Sequence, residues 1–313
     1  MNGRPKLSVV IPVYQNQRTL AATCSAVDAV LAPHATEIDY EFVCVNDGCT
    51  DDSWNELCQL QRAAPPGRFR LIKLTRNFGQ LPALLAGYRH ALGNCVVTIS
   101  ADLQDPAELI WDMVAAWQQG QLLVVAARAR RNDGFLYNLV AGTCWRIFRR
   151  IAVPKIPKGG FDFFLMDRKV CDYFVQNPEQ NLFLQGRLLF FGAEPHVIAY
   201  ERRARAEGRS RTSLARNLKY FIDGIAGYSY LPVRLMSLAG LVLFSLSILA
   251  SLIIAMYVLL YGSRVEGWAS LIIVILGLQG LQMLFMGVIG EYLWRTLDEI
   301  RKRPHYLIES VLE

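Results

Sequence analysis

Short apolar runs alternate with longer amphipathic stretches through the first 128 residues of the chain. Each run is rich in β-branched residues and is bounded by polar, Gly or Pro positions, which predicts a buried strand. The stretches between the runs have the periodicity of helices. Because the two patterns alternate, we expect βαβ units, a mostly parallel sheet and helices on both of its faces. The predicted strands are residues 7–14, 41–46, 69–74, 95–100 and 122–128.

A helix start follows the fourth predicted strand. Asp105 precedes Pro106, and Glu108 lies three residues after Asp105. Proline is favoured at the first position of a helix, and an acidic residue at the third position completes a capping box. The pattern therefore predicts a helix over residues 106–119 with Asp105 as its N-cap.

The regular alternation fails after residue 131. Residues 135–151 are amphipathic, whereas residues 161–166 and 196–205 have the pattern of further strands. Asp162 is a lone carboxylate among the aromatic residues of the first of these strands. An acid in an apolar wall is a candidate functional group, although a turn or N-cap aspartate has the same local sequence.

Two nearly charge-free runs occupy residues 235–261 and 268–289. Each is longer than the roughly 20 apolar residues that a membrane-spanning helix requires. The link between the two runs is short, so they predict a transmembrane hairpin. The chain before the hairpin and the chain after it then lie on the same side of the membrane. The flanks are rich in Arg and Lys, which places that side in the cytoplasm. The amphipathic stretch at 213–230 predicts a helix in the membrane interface.

These patterns divide the chain into four parts. We expect a cytoplasmic catalytic α/β domain over residues 1–212, an interfacial helix over 213–234, a transmembrane hairpin over 235–294 and a cytoplasmic tail over 295–313. No signal-peptide pattern is present at the start of the sequence. The expected location is therefore the inner (cytoplasmic) membrane, with a multi-pass topology and the catalytic domain in the cytoplasm.

The composition agrees with a membrane protein of a reduced compartment. Hydrophobic residues make up 53% of the 313 positions and charged residues only 19%, which is low for a soluble enzyme. The seven cysteines lack the paired spacing of a metal site. The net charge of +6 comes from basic residues beside apolar segments, which favours a membrane surface over nucleic acid as the partner.

The strongest candidate for chemistry lies at the end of the predicted strand 95–100. Ligands of open α/β sheets collect beyond the carboxyl ends of such strands, and Asp102 and Gln104 come directly after this one. Carboxylate and amide oxygens are ligands that Mg²⁺ or Mn²⁺ accepts alongside substrate phosphates. We therefore expect Asp102 to bind a metal ion, whereas the capping role predicted for Asp105 gives that residue another task.

A second candidate is the basic segment 202–211, which also contains Gly and Ser. It is too polar to pack and predicts a loop that contacts either a phosphate group or anionic lipid headgroups. The chain has no G-x-G-x-x-G after its first strand and no G-x-x-x-x-G-K-[ST]. A dinucleotide-binding Rossmann site and a P-loop are therefore not supported.

Several motifs occur in a specific order along nearly the whole chain. Taken together they resemble the family-2 glycosyltransferases of GT-A fold, and specifically the membrane enzymes that load a sugar onto polyprenyl phosphate. Bacterial bactoprenol glucosyltransferases and dolichol-phosphate mannose synthases are of this kind. The motifs are Val-Ile-Pro-Val-Tyr at 10–14, Asn-Asp-Gly-Cys-Thr-Asp at 46–51, Thr-Arg-Asn-Phe-Gly-Gln at 75–80, Leu-Leu-Ala-Gly at 84–87, Ala-Asp-Leu-Gln-Asp-Pro at 101–106, Gly-Phe-Asp-Phe-Phe-Leu-Met-Asp-Arg at 160–168, Gly-Glu-Tyr at 290–292 and Arg-Pro-His-Tyr at 303–306.

The resemblance implies roles for individual residues. Asp102 and Gln104 would hold Mg²⁺ or Mn²⁺ on the donor diphosphate, and Asp162 would face the reacting sugar as a catalytic residue together with Asp102. The implied donor-binding residues, of which the first three line the nucleoside pocket, are Pro12, Tyr14, Asp47, Arg76, Gln80, Ala101, Asp102 and Gln104. The implied contacts to the acceptor phosphate are Arg203, Arg205, Ser210 and Arg211.

The chain departs from the family pattern in two places. The family commonly has an acidic residue two positions before the metal aspartate, where this chain has Ser100. It also has an Asn-Glu pair after the tyrosine of the first motif, where this chain has Gln15 and Asn16. The first departure removes a carboxylate from the metal site, and the second affects the contacts to the donor base.

The expected function is inverting transfer of a sugar, with glucose from UDP-glucose as the default, onto undecaprenyl or another polyprenyl phosphate for cell-envelope glycan modification. GDP-mannose, UDP-N-acetylglucosamine and a UDP-aminoarabinose derivative remain open as donors. Alternatives from other classes are a processive polysaccharide synthase, a non-catalytic membrane anchor and a transferase with a soluble acceptor. The expected partners are the nucleotide sugar, the lipid acceptor, the bilayer and further copies of the chain, as in a tetramer.

Overall fold

The computed structural model describes residues 4–128, 156–157, 160–177, 183–200, 231–261 and 267–313. The chain forms two compact units, one of Met1–Tyr220 with Pro304–Glu313 and the other of Phe221–Arg303. The amphipathic segments predicted at 135–151 and 213–230 lie outside the described residues. The same holds for the predicted phosphate contacts Arg203, Arg205, Ser210 and Arg211.

The first unit alternates strands and helices, as the apolar pattern predicted. All five strands predicted in residues 4–128 occur within two residues of their predicted ends. The strands are β1 (Lys6–Val13), β2 (Asp39–Asn46), β3 (Phe69–Leu74), β4 (Cys95–Thr98), β5 (Leu123–Arg128), β6 (Phe163–Asp167), β7 (His196–Tyr200) and β8 (Ile308–Leu312). The helices of this unit are α1 (Gln17–Leu31), α2 (Ser53–Ala63), α3 (Gln80–His90), α4 (Leu109–Gln118), α5 (Arg168–Gln176) and α6 (Leu184–Phe190), with a short 3₁₀ turn at Ala32–His34 after α1.

The described strands form one eight-stranded sheet in the order β7-β5-β6-β4-β1-β2-β3-β8. The pairs β1–β2, β1–β4, β2–β3 and β5–β7 are parallel. Strand β6 is antiparallel to both β4 and β5, and β8 is antiparallel to β3. Six strands therefore run in one direction and two in the other, so the predicted mostly parallel sheet with flanking helices is confirmed.

The two faces of the sheet can be read from alternate residues of β1. Leu7, Val9 and Ile11 pack into one large apolar cluster with the helices α1 and α4. Val10 faces the other side, where a Cβ on Gly87 of α3 would come within 2.5 Å of its Cγ1 atom. Glycine at position 87 therefore lets α3 approach the sheet closely. The members of the cluster from α1 and α4 include Leu20, Cys24, Val27, Ile110 and Met113.

Strand β6 brings a distant part of the chain to the carboxyl edge of the parallel strands. Its register pairs Phe164 with Thr98, the last residue of β4. Because β6 runs in the opposite direction, its amino-terminal end lies beside the carboxyl-terminal end of β4. Asp162, the residue before β6, is thereby placed at the edge where ligands of α/β sheets bind.

The C-terminal residues add a strand that the sequence analysis did not foresee. Strand β8 follows α8 (Trp268–Arg301) and pairs with β3, with Lys73 opposite Ser310. The Lys73 ammonium lies 2.8 Å from the Glu309 carboxylate. The Thr75 N–H donates to the carbonyl of Leu307 at 3.0 Å, at the start of the loop between β3 and α3. The segment assigned to a tail from sequence therefore covers one edge of the sheet.

A buried carboxylate joins β1, β2 and the loop before β4 near the amino-terminal ends of the parallel strands. Glu41 is 2% exposed, and it accepts hydrogen bonds from Ser8 Oγ at 2.6 Å and Leu92 N–H at 2.7 Å. Its second oxygen lies 2.8 Å from Lys6 Nζ. Ser8 Oγ in turn accepts a hydrogen bond from Gly93 N–H at 2.8 Å. Each partner of Glu41 would lose a charged acceptor if its carboxylate were changed.

We expect Glu41→Gln to lower the free energy of unfolding by about 1.5–3 kcal/mol, because hydrogen bonds to a charged group contribute that much. The amide keeps the shape of the side chain but turns an NH₂ group or a neutral oxygen toward Lys6. The measurement is denaturant or thermal unfolding of the full chain. Glu309→Gln is the matched control, since its ion pair is solvent-exposed and such pairs contribute only about 0–1 kcal/mol. Equal losses in the two variants would contradict the prediction.

The second unit contains the two longest described helices, α7 (Leu231–Tyr261) and α8. Many of their large apolar side chains are exposed, including Leu259, Leu271 and Leu293. In the part of the chain that the structure describes, no helix combines the length and the apolar character that crossing a bilayer requires. The transmembrane hairpin predicted at 235–294 is therefore not supported.

Candidate active site

A cleft of about 160 Å³ opens at the carboxyl edge of the parallel strands. It is formed by β1, by the end of β4 and the turn after it, by the first residue of α3 and by the residue before β6. This is the edge that the sequence analysis predicted for the site. The lining residues are Pro12, Gln80, Thr98, Ile99, Ser100, Asp102, Asp105 and Asp162.

The turn after β4 is held together by side-chain hydrogen bonds. Asp102 Oδ1 lies 2.8 Å from Ser100 Oγ and accepts a longer bond, of 3.3 Å, from the Gln104 N–H. Leu103, between the two predicted metal ligands, has a φ of 59°. That conformation is rare for a leucine and costs energy, and such strain is found mostly at functional sites. The turn thus points Asp102 into the cleft, whereas Gln104 is not among the lining residues.

Asp105 is not the helix cap that its sequence position predicted. Helix α4 begins at Leu109 with Glu108 as the N-cap residue, three residues later than expected. The Asp105 carboxylate is 6% exposed. It lies 2.6 Å from Ser100 Oγ and accepts a hydrogen bond of 3.0 Å from the Tyr200 hydroxyl at the end of β7. Tertiary contacts to the cleft have therefore replaced the local capping bond.

Asp162 lines the cleft from the residue before β6. Its neighbours Phe161 and Phe163 are buried, whereas the Asp162 side chain itself is exposed. The backbone before it is anchored by α6, because Gln185 Nε2 donates to the Phe161 carbonyl at 2.7 Å. The expected apolar wall is therefore present, and the carboxylate projects from that wall toward solvent in the cleft.

Asp47, one of the predicted donor contacts, has both carboxylate oxygens engaged by backbone. They accept the N–H groups of Phe78 at 2.7 Å and Gly79 at 2.9 Å. Burial raises the pKa of Asp47, while these two hydrogen bonds and the nearby Arg76 guanidinium act in the opposite direction. In this structure Asp47 therefore shapes the loop between β3 and α3.

Gly48 allows this loop to pass close to the end of β2. It has a φ of +61°, and a Cβ at this position would lie 2.3 Å from the Arg76 carbonyl carbon and the Asn77 nitrogen. Any side chain here would push the loop away. The two motifs at 46–51 and 75–80 are therefore packed against each other and act as one structure.

The remaining predicted donor contacts lie around the same edge. Tyr14 directly follows β1 and is 38% exposed, and the Arg76 guanidinium lies over the Phe78 ring at 4.2 Å. Gln80 is the first residue of α3 and lines the cleft. Ala101 is buried, and its carbonyl accepts a hydrogen bond of 2.6 Å from Thr19 Oγ1. Of these four residues, Gln80 is the one that lines the cleft.

The chemistry of the turn fits a divalent cation. Asp102 and Asp105 supply two carboxylates on either side of the Ser100 hydroxyl, and Mg²⁺ is commonly held by one or two carboxylates together with substrate phosphates. Within the described residues no group of three or more His, Cys, Asp or Glu side chains is placed to hold a metal ion.

Sequence reasoning missed three residues of this site. Ser100 was read only as a missing acid and Asp105 as a cap, although both lie within two or three residues of Asp102. Their closeness in sequence was a usable signal. Tyr200 gave no signal, because it is 95 residues from Asp105 and stands at the end of an ordinary strand pattern.

The chain was compared with known families and relatives. Residues 8–174 match the model of Glycosyl transferase family 2. A protein of Synechocystis sp., named an uncharacterized glycosyltransferase, is 34% identical over 307 residues, which are 98% of this chain and 95% of the relative. The bactoprenol glucosyl transferase of Shigella phage SfII is 34% identical over 308 residues, covering 97% of this chain and 98% of the relative.

Among solved structures, a mannosyltransferase from Pyrobaculum calidifontis in complex with GDP-Man and Mn²⁺ matches with a TM-score of 0.52. It is 17% identical, and the match covers 72% of this chain and 64% of that enzyme, so the likeness concerns the fold. The two sequence relatives match over nearly the full length of both chains, whereas the structural match covers 72% of this chain. The protein therefore belongs to glycosyl transferase family 2, and the prediction that it is a glycosyltransferase is confirmed.

Proposed function

We propose that the protein transfers a hexose from a nucleotide sugar, with UDP-glucose as the first candidate, to a polyprenyl phosphate. The observation that carries the proposal is the cleft at the carboxyl edge of the sheet, which both Asp102 and Asp162 line. Full-length relatives named bactoprenol glucosyl transferase support a lipid phosphate as the acceptor. The choice of sugar and nucleotide rests on the family resemblance alone.

The reaction is a single displacement with inversion at the anomeric carbon. An oxygen of the acceptor phosphate forms the new bond to that carbon, and the bond to the donor diphosphate breaks, with its electron pair leaving on the nucleoside diphosphate. Negative charge therefore grows on the leaving group, while positive charge develops on the sugar. Protein groups that are already positioned to stabilise these charges lower the activation barrier of the transfer.

Asp102 would hold Mg²⁺ or Mn²⁺ with the Gln104 side chain as the second predicted ligand. The cation, when bound, would neutralise the charge of the diphosphate leaving group. Asp162 would orient the sugar and stabilise the positive charge that develops on it. Its exposed carboxylate and the anchored backbone before it suit a positioning role.

The acceptor phosphate would be bound by Arg203, Arg205, Ser210 and Arg211, which follow β7 in the chain. We expect Ala at both Arg203 and Arg205 to raise KM for donor and acceptor by about tenfold or more, since each lost charged hydrogen bond is worth about 1.5–3 kcal/mol. Steady-state kinetics with each substrate varied in turn is the measurement. Unchanged kinetics together with weaker binding to anionic vesicles would instead assign this segment to lipid headgroups.

A polyprenyl phosphate acceptor also requires contact with a bilayer. The exposed apolar side chains of α7 and α8 support such contact. We accordingly propose that the enzyme acts at the cytoplasmic face of the inner membrane. Sedimentation with liposomes tests this location independently of activity.

A processive polysaccharide synthase is the main rival. Such enzymes usually carry a Q-x-x-R-W acceptor motif, which this sequence lacks. The deciding experiment incubates the purified full chain with undecaprenyl phosphate and each labelled nucleotide sugar in turn. The expected product is a lipid-soluble compound carrying a single sugar, formed with one donor. A labelled polymer, or label transferred only to water-soluble acceptors, would contradict the proposal.

A further inference from the structure

We propose that Asp105 is a positioning residue of the cation site, acting on Asp102 through Ser100, and that Tyr200 at the end of β7 holds Asp105 in place. The inference rests on the proposed function in one respect, namely that Asp102 binds a divalent cation. It assigns a task to a buried carboxylate that neither the capping pattern nor the family resemblance explains.

The first argument is the chain of contacts that joins Asp105 to Asp102. Three side-chain contacts join the four residues: Tyr200 to Asp105 at 3.0 Å, Ser100 to Asp105 at 2.6 Å and Ser100 to Asp102 at 2.8 Å. The Ser100 hydroxyl therefore lies within hydrogen-bond distance of both carboxylates. A change at Asp105 would alter the position of the hydroxyl that also contacts Asp102.

The second argument is burial. Asp105 is 6% exposed and Tyr200 is 8% exposed, so their hydrogen bond is shielded from competing water. An edge-to-face contact with Phe163, at 6.4 Å between ring centroids, helps to fix the Tyr200 ring. Some residues do not touch the metal but hydrogen-bond to the groups that orient its ligands. Substituting such a residue typically lowers the affinity for the metal.

The test measures Mn²⁺ affinity of the full chain in the presence of UDP, by titration followed with electron paramagnetic resonance. We expect Asp105→Asn to raise the Mn²⁺ Kd about 10- to 100-fold, the usual effect of losing an outer partner of a metal ligand. Tyr200→Phe should raise it in the same direction. Because Tyr200 acts through Asp105, the double variant should bind Mn²⁺ no more weakly than Asp105→Asn alone.

Two matched controls remove similar groups elsewhere in the first unit. Tyr40→Phe deletes the hydroxyl of a buried tyrosine that donates to the Asp28 carboxylate, and Asp167→Asn removes the charge of the N-cap residue of α5 while keeping an oxygen that can cap the helix. Both should leave the Mn²⁺ Kd unchanged. A Kd within twofold of wild type in folded Asp105→Asn, or additive effects of the two substitutions, would overturn the inference.

Ser100→Ala provides a second route in case Asp105→Asn does not fold. Ser100 is half-buried, and its removal breaks the link between the two carboxylates. We expect a raised Mn²⁺ Kd and no further effect of Tyr200→Phe in this background. An unchanged Kd, or no saturable Mn²⁺ binding by the wild type, would also overturn the inference. Failure of the proposed function is separate, since it appears as the absence of a lipid-linked sugar while Mn²⁺ binding persists.

Discussion

Asp102→Asn is expected to lower kcat/KM for sugar transfer by about 10³-fold, because a metal ligand contributes several kcal/mol to charge stabilisation and about 1.4 kcal/mol corresponds to a factor of ten. Asparagine keeps an oxygen that can accept the bonds from Ser100 and the Gln104 N–H. The substitution therefore removes only the negative charge of the side chain. The variant should therefore unfold at a temperature close to that of the wild type while losing turnover.

The measurement is the initial rate over a series of Mg²⁺ concentrations, combined with thermal unfolding. Asp112→Asn is the matched control, since Asp112 is exposed on α4 and does not line the cleft. Its rate should equal that of the wild type. Near-normal turnover of Asp102→Asn at saturating Mg²⁺ would show that Asp102 is not a metal ligand.

Asp162→Asn is expected to lower kcat by about 10²-fold or more, because positioning of the reacting groups carries large rate factors. The acceptor is a phosphate monoester with a second pKa of about 6. At neutral pH it is mostly a dianion and needs no base in order to attack. The rate should therefore rise with pH through that pKa in the wild type and in the variant alike.

The pH profile separates two roles for this residue. If the rise of rate with pH disappears in Asp162→Asn and persists in the wild type, the rise belongs to Asp162 and the residue is a general base. If it persists in both, Asp162 orients the sugar. Profiles of kcat should be recorded at saturating donor and acceptor, so that a change in binding does not imitate a change in chemistry.

Most of the sheet in the first unit could be predicted from sequence. The strands of residues 4–128 are short, apolar and β-branched, and each ends in a polar turn, so their positions follow from local pattern. The orientation of β6 does not follow from local pattern. Its residues read as a strand in either direction, and only pairing with β4 and β5 makes it antiparallel and carries Asp162 to the cleft.

The corrections to the sequence reading have a common cause. A capping box is a local motif, and it favours a helix start at Pro106 only if Asp105 has no better partner. In the folded chain Asp105 meets Ser100 and Tyr200, and α4 starts at Leu109 instead. Asp47, a predicted donor contact, is also engaged by a distant segment, since the N–H groups of Phe78 and Gly79 donate to its two carboxylate oxygens.

The sequence by itself determined the family, the order of strands and helices in residues 4–128 and the edge of the sheet at which we place the site. These properties depend on periodicity and on motifs within a few residues. The tertiary structure alone decided which carboxylates meet in the cleft and which are engaged elsewhere, and it placed the C-terminal strand at the edge of the sheet. The Tyr200 contact to Asp105 spans 95 residues, and the Lys73 contact to Glu309 spans 236. Contacts of this kind arise from the packing of whole elements, and local propensity carries no information about them.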